Sequence, residues 1–320
     1  MYGLFRTARR LREIGLIGIG ERNASYVLRY NPRKFYPRVD DKLQSKELAI
    51  AAGLPVPELY AVVREEHEIA ALHDKLAPHE SFVVKPAHGS GGDGILVING
   101  RRGTRYRRAS GALMSRGEFE HHLSNGLSGL HSLGGQPDHL LVEYCVKFDP
   151  LFEKVSYGGV PDVRIISFLG YPAMAMIRLP TRMSDGKANL HQGAIGVGID
   201  IATGLTCRGV WGTEPVDEHP DTENSIVGLQ IPHWQELLLI AARSYELSGL
   251  GYVGVDIVLD RELGPLILEL NARPGLSIQI ANGNGLGHRL RRIEQLQDDG
   301  ALSADPLARV AFAREHFAAR

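Results

Sequence analysis

From Tyr2 to Ile14 the apolar residues Leu4, Phe5, Ala8, Leu11 and Ile14 recur at helical spacing, and Arg6, Arg9, Arg10 and Arg12 occupy the positions between them. This pattern predicts a basic amphipathic helix. Such a helix either docks on an anionic surface or partner, or packs on its own domain with a solvated basic face. Gly15, Gly18 and Gly20 break the period, and Asn31-Pro-Arg-Lys-Phe-Tyr-Pro-Arg38 reads as a connector. A second helix is predicted from Asp41 to Ala52, ended by Gly53-Leu-Pro-Val-Pro57. Further helices are predicted over Glu65 to Leu76, Arg116 to Ser124 and His233 to Leu247. Short apolar runs predict strands at Ser81 to Lys85, Ile95 to Ile98, Leu140 to Tyr144, Asp162 to Leu169, Ala173 to Leu179, Tyr252 to Leu259 and Leu266 to Asn271. The strands come partly in adjacent pairs, which predicts an α+β fold with mixed sheets. After Leu286 the pattern is basic and helical, then Ala-rich.

Composition narrows the classes. The 320 residues are 43% hydrophobic, and 36 Lys+Arg against 37 Asp+Glu give a formal net charge of −1, so no chain-wide field favours nucleic acid as a partner. The two cysteines, Cys145 and Cys207, stand far apart without metal-ligand spacing, as expected in a reducing, cytoplasmic compartment. No run approaches the roughly 20 apolar residues of a membrane span.

Four constellations carry candidate chemistry. Val83-Val-Lys85-Pro86 runs into His88-Gly-Ser-Gly-Gly-Asp-Gly94 and then Ile95-Leu-Val-Ile98. Four glycines in seven residues between two strands suit a loop whose N–H groups close over phosphates, with Lys85 aimed at the same phosphates; a plain flexible hairpin is the alternative. No Gly-Lys-Ser/Thr follows, so this is not a Walker A loop. In the second constellation, strand alternation puts Glu269 and Asn271 on one face and Leu266, Leu268 and Leu270 on the other, while Asp256 stands amid strand hydrophobes. Carboxylate and carboxamide oxygens without His or Cys suit Mg²⁺; acids paired with Arg273 or other basic groups are the alternative. The third, Leu140-Leu-Val-Glu143-Tyr-Cys-Val146, offers backbone groups and apolar walls to a purine, with Asp149 or Glu153 near enough in sequence for a ribose. In the fourth, Asp162 and Arg164 share a strand face, and Arg178, Lys187, Asn189 and His191 follow. Cations and amides of this kind bind a carboxylate or a transferring phosphoryl group, and otherwise form a surface ion-pair ladder.

Together and in this order, the segments from Asp41 to Gly285 resemble the ATP-grasp superfamily of carboxylate–amine ligases, and within it the RimK-type and α-L-glutamate ligase-like proteins. The motifs are Asp41-Lys42 with Ala-Gly-Leu-Pro-Val-Pro57, Val84-Lys85-Pro86 with the glycine-rich loop, Glu143, Asp162-Val-Arg164, Asn189-Leu-His191, Gly254-Val-Asp256 and Glu269-Leu-Asn271-Ala-Arg-Pro-Gly275. The resemblance implies two α+β subdomains clasping ATP. Residues 1–40 would form a short basic segment and 41–285 the ATP-grasp domain, with a lid at about 80–145 and a metal-binding part at about 146–285; 286–320 would be a helical tail.

It also implies roles. Lys42 and Lys85 would contact phosphates under a lid of His88, Gly89, Ser90, Gly91, Gly92 and Gly94. Glu143, Tyr144 and Val146 would hold adenine, and Asp149 or Glu153 the ribose. Asp256, Glu269 and Asn271 would ligate Mg²⁺, or Mn²⁺ in its place. Arg164, Asn189 and Arg273 would address an acyl phosphate, and Asp162, Arg178, Lys187 and His191 the substrate. The implied activity is ATP-dependent amide formation between carboxylate and amine substrates, small molecules or peptides, with glutamate as one candidate. A phosphotransferase and a non-catalytic nucleotide-binding module are the alternatives. Relatives carry an α/β domain ahead of the Asp-Lys helix, where about 40 residues stand here. The acceptor side would then be completed by that Arg-rich segment, through Arg29, Arg33 and Arg38, or by a homo-oligomer or partner protein.

Overall fold

The computed structural model describes residues 9–89, 91–132 and 135–319. The expected lid residue Ser90 and the Tyr2 to Ala8 part of the N-terminal helix lie outside them. The chain forms two compact units, one of Met1–Asp40, Leu48–Pro55 and Phe148–Arg320, the other of Asp41–Glu47 and Val56–Lys147.

The smaller unit is built on strands β1 (Leu59–Val63), β2 (Phe82–Pro86), β3 (Leu96–Arg102), β4 (Arg105–Arg108), β5 (Leu113–Met114) and β6 (Leu140–Tyr144), in the order β1-β6-β2-β3-β4-β5. A 3₁₀ turn (Glu66–Glu68) and a helix (Ile69–Lys75) replace the single helix expected from Glu65 to Leu76. The helix Arg116–Leu127 starts at a capping box in which Ser115 and Glu118 satisfy each other's backbone N–H groups. Leu72, Leu76, Phe82, Val84, Ile98, Phe119, Leu123 and Val142 form the core between helices and sheet.

The larger unit carries β7 (Asp162–Phe168), β8 (Tyr171–Leu179), β9 (Ile195–Ile199), β10 (Thr206–Trp211), β11 (Glu214–Val216), β12 (Tyr252–Asp260) and β13 (Gly264–Asn271), ordered β11-β10-β9-β8-β7-β12-β13. Every residue of β12 is buried. The helix Trp234–Ser248 packs on β7, β8 and β12, and the helix Pro306–His316 packs on β8 and on that helix.

Both sheets are antiparallel throughout, which corrects the expectation of mixed sheets. Tight hairpins enforce this, as at Leu169-Gly170, where φ of 49° and 80° matches the two-residue turn whose twist suits neighbouring antiparallel strands. The seven expected strands are present. Strands β4, β5, β9, β10 and β11 escaped sequence reading because they are short, Gly-broken or charged; β1, Leu-Tyr-Ala-Val-Val, is an apolar run as long as β2 and was missed all the same.

The expected connector at 31–38 is largely helical, with a 3₁₀ turn at Arg33–Phe35 and a helix at Pro37–Asp40. Pro37 starts that helix, since the first helical turn has no use for the missing N–H. Asn31 closes this region onto the sheet: its side chain accepts from Tyr252 N and donates to the carbonyls of Tyr252 and Ala272. Among the described residues no helix is long and apolar enough to cross a membrane.

Candidate functional site

In the smaller unit the chemistry begins on the helix Lys42–Ala51, where Leu43, Lys46 and Ala49 are buried at i, i+3 and i+6. Lys46 therefore enters the interior on an apolar stripe. Its ammonium lies 2.9 Å from Glu143 Oε2 and also donates to the Pro57 carbonyl. Lys85, leaving β2, lies 2.5 Å from the other oxygen, Glu143 Oε1. All three side chains are buried, and burial pushes the Lys46 pKa below its usual range against the pull of Glu143. One carboxylate thus stands between two ammonium groups, and the cluster carries one positive charge in excess.

Lys42 lies at the start of the glycine-rich loop. Its ammonium donates to the carbonyls of Ala87 and Gly89, so it fixes the start of the glycine-rich loop through the loop's own backbone. Asp41 caps the helix through the amides of Leu43 and Gln44. Within the loop, Gly91, Gly92 and Gly94 adopt φ of 65°, 82° and 77°, and a Cβ on Gly94 would meet the His131 ring at 2.6 Å. Only glycine satisfies both demands at position 94. His88 at the loop base donates from Nδ1 to Asp138 Oδ1 at 2.7 Å. Burial alone would raise the Asp138 pKa, but bonds from Ser132, His88 and two backbone amides outweigh it and lower the value. Tyr144 donates its backbone N–H to the Glu58 carbonyl, and Val146 is half-buried.

In the larger unit, strand register aligns the second set of groups. Arg164 on β7 pairs with Asp256 on β12, which pairs with Glu269 on β13, so the three share one row and one face; Asn271 follows two residues on. Asp162 pairs with Arg178 across β7 and β8. Arg164 grips Asp256 with two bonds, Nε to Oδ1 at 2.7 Å and Nη2 to Oδ2 at 2.5 Å. Arg178 holds Asp162 in the same bidentate manner and reaches Asp256 Oδ2 at 2.9 Å, where Asn271 Nδ2 adds a third donor at 3.2 Å. Burial would raise the Asp256 pKa, yet Arg164 and Arg178 hold it at about 2. Burial raises that of Asp162 to about 6, with the Asp256 charge acting in the same direction and Arg178 against it.

This donor set fits a hard divalent cation. Asp256 Oδ2 is saturated by three donors, but Oδ1 accepts only one and keeps a lone pair, and Glu269 and the Asn271 carboxamide oxygen complete an all-oxygen set.

The remaining candidates are dispersed. Asn189 accepts from His191 N and caps a 3₁₀ turn, His191 is exposed, and Lys187 is half-buried on the same β8–β9 loop. Arg273 is exposed with its guanidinium 5.1 Å from the Tyr36 ring, while its carbonyl and that of Pro274 accept from buried Arg22. Asp149 caps the turn Pro150–Lys154, and exposed Glu153 pairs with Arg261 at 3.0 Å. Arg29 pairs with Glu294, and Arg38 stacks on Phe35.

Sequence reading missed Lys46, Asp138 and the buried Arg22. For Lys46 a signal existed, since it falls four residues after Lys42 on the apolar stripe of a predicted helix. Nothing local marks the other two.

The family model described as "Sugar-transfer associated ATP-grasp" matches residues 21–295. No curated protein matches the chain. Among solved structures the chain is similar to the ATP-grasp ligase PsnB complexed with minimal precursor, at 15% identity over 84% of this chain and 63% of that one, with a TM-score of 0.45. It is also similar to the D-cycloserine synthetase DcsG, at 18% identity over 84% of this chain and 72% of that one, with a TM-score of 0.48. The chain thus spans less than two thirds of the length of PsnB.

Proposed function

The chain belongs to the sugar-transfer-associated ATP-grasp family, and from that premise we propose that it is an ATP- and Mg²⁺-dependent ligase that joins a carboxylate to an amine through an acyl phosphate. The observation that carries the reading is the in-register row Arg164, Asp256 and Glu269, flanked by Arg178 and Asn271, which sets cation-binding oxygens beside guanidinium groups. In the reaction a carboxylate oxygen attacks the γ-phosphorus of ATP and the bond to the ADP oxygen breaks. The amine then attacks the acyl carbon, inorganic phosphate leaves with its oxygen, and the amine gives up a proton.

Lys85 binds phosphate oxygens with the loop from His88 to Gly94, while Lys42 holds that loop in place through its carbonyls. The backbone from Glu143 to Val146 binds the adenine, and Asp149 or Glu153 the ribose. Asp256, Glu269 and Asn271 would hold Mg²⁺, or Mn²⁺ in its place, which would supply charge neutralisation at the phosphates. Arg164, Asn189 and Arg273 stabilise the acyl phosphate, and Arg178, Lys187 and His191 orient the carboxylate. Asp162 keeps Arg178 aligned. A RimK-like choice of glutamate as one substrate, with a peptide or small acceptor, belongs to the same proposal. So does a second subunit or partner protein completing the acceptor site. A cytoplasmic location agrees with two free cysteines.

The test is ATP turnover by the purified chain with Mg²⁺, a panel of amino acids and peptides, and hydroxylamine as trap. The expected result is ADP together with a hydroxamate that depends on the carboxylate supplied. ADP with a stable phosphorylated product would replace the ligase by a phosphotransferase, and ATP binding without ADP on any panel member would overturn the reading.

A further inference from the structure

At the base of the glycine-rich loop lies a cluster that the acid row does not employ and that joins His88, the first residue of the phosphate-binding loop, to two residues outside it. Ala87 N donates to the His139 carbonyl, so the segment leaving β2 is locked against the segment entering β6. This brings one ligand atom each of His88, Asp138 and His139 within 4.8 Å of one another. We propose that these three side chains bind a divalent transition-metal ion of the zinc class, at a site separate from that for Mg²⁺.

Two imidazoles and one carboxylate form a mixed nitrogen and oxygen set, which suits Zn²⁺, Co²⁺ and related ions and disfavours Mg²⁺. The surrounding groups match what ligands of such ions require. Metal-bound carboxylates are oriented by further hydrogen bonds, and metal-bound histidines pass their second N–H to a carboxylate. Asp138 is buried and held by Ser132 Oγ at 2.5 Å and by the amides of His88 and His139 at 2.9 and 2.8 Å. His88 turns Nδ1 to Asp138 and Nε2 towards Asp41 Oδ2, 3.8 Å away. The His139 imidazole is half-buried and has no hydrogen-bond partner among the described residues.

The ion takes the place of the proton shared by His88 Nδ1 and Asp138 Oδ1. That proton moves to Nε2, on the side of Asp41, and the imidazole stays neutral. Bound there, the ion joins the two ends of the segment that carries Gly89 to Gly94, and so restrains the loop at its base.

Co²⁺ is the probe, titrated into the purified, nucleotide-free full chain and followed by its visible d–d absorption. The expected result is saturation at one ion per chain, with Zn²⁺ displacing the colour. His139→Gln, which removes no hydrogen bond of the protein, is expected to weaken Co²⁺ binding at least tenfold, with the far-ultraviolet circular dichroism unchanged. Asp41→Asn is expected to weaken it by about tenfold, the usual size of such outer contacts, and His191→Gln, in the other unit of the chain, leaves it as in the parent. Absence of a saturable visible band, or equal binding by the parent, His88→Gln and His139→Gln, would overturn the proposal. Because the assay contains no ATP, either outcome is independent of the ligase reading.

Discussion

In the unit of the sheet β1–β6, two ammonium groups, Lys46 of a helix and Lys85 of β2, share the single carboxylate of Glu143; within β7–β13, two guanidinium groups, Arg164 and Arg178, share two carboxylates, Asp162 and Asp256, with Glu269 opposite in register. The first cluster keeps one positive charge in excess, and in the second two guanidinium groups balance two carboxylates. That surplus states the sign of the ligand that would complete the first cluster, an anion such as phosphate. The side-chain chemistry differs accordingly. Lysine ammonium groups are point charges that turn readily to a new partner, whereas each guanidinium is a planar fork fixed by two bonds to one carboxylate. The first cluster is therefore built to rearrange on binding, and the second to hold its geometry.

The comparison can be broken most severely at Glu143. Glu143→Ala leaves two buried ammonium groups without their anion and is expected to cost about 3–5 kcal/mol, measured by urea denaturation; a loss below 1 kcal/mol would mean that the cluster is open to water.

Asp256→Asn is expected to cost less, about 2 kcal/mol, because Arg178 retains Asp162 and only Arg164 loses its carboxylate. It also separates two opposed pH effects. In the parent chain the stability from Asp256 is present above 3.8 and is lost as pH falls towards about 2. Asp162 acts in the opposite sense. Between 3.8 and about 6 the folded chain holds a proton that the unfolded chain has released, so stability falls as pH rises through that window. Unfolding midpoints measured from pH 2 to 7 should show both slopes in the parent, and in Asp256→Asn neither the acid loss nor the full fall from 3.8 to 6.

The smallest effect is expected at Glu153. Its pair with Arg261 is exposed, so Glu153→Ala should change stability by less than about 1 kcal/mol in thermal melts. A larger loss would place Glu153 in a network that the surface geometry does not show.

Much of this arrangement is legible in sequence. Strands β2, β6, β7, β8, β12 and β13 are apolar runs bounded by turn residues, and the period of two on β13 already sets Glu269 and Asn271 on one face. Which groups meet across strands is not legible. The pairing of Asp256 with Arg164 depends on register between segments 92 residues apart in the chain, and the Lys46–Glu143 contact joins a helix to a strand.

By itself the sequence determined the α+β class, the principal strands and the chemical types at the candidate site, because burial period and turn chemistry are local properties. Tertiary structure alone decided that Lys42 grips the loop backbone while Lys46 enters the charge cluster, and that Asp256 is held by two arginines. It also decided that His88, Asp138 and His139 converge. Each of these depends on distance and orientation between elements remote in the chain, where Coulomb and hydrogen-bond energies are set by ångström-scale placement that no local pattern encodes.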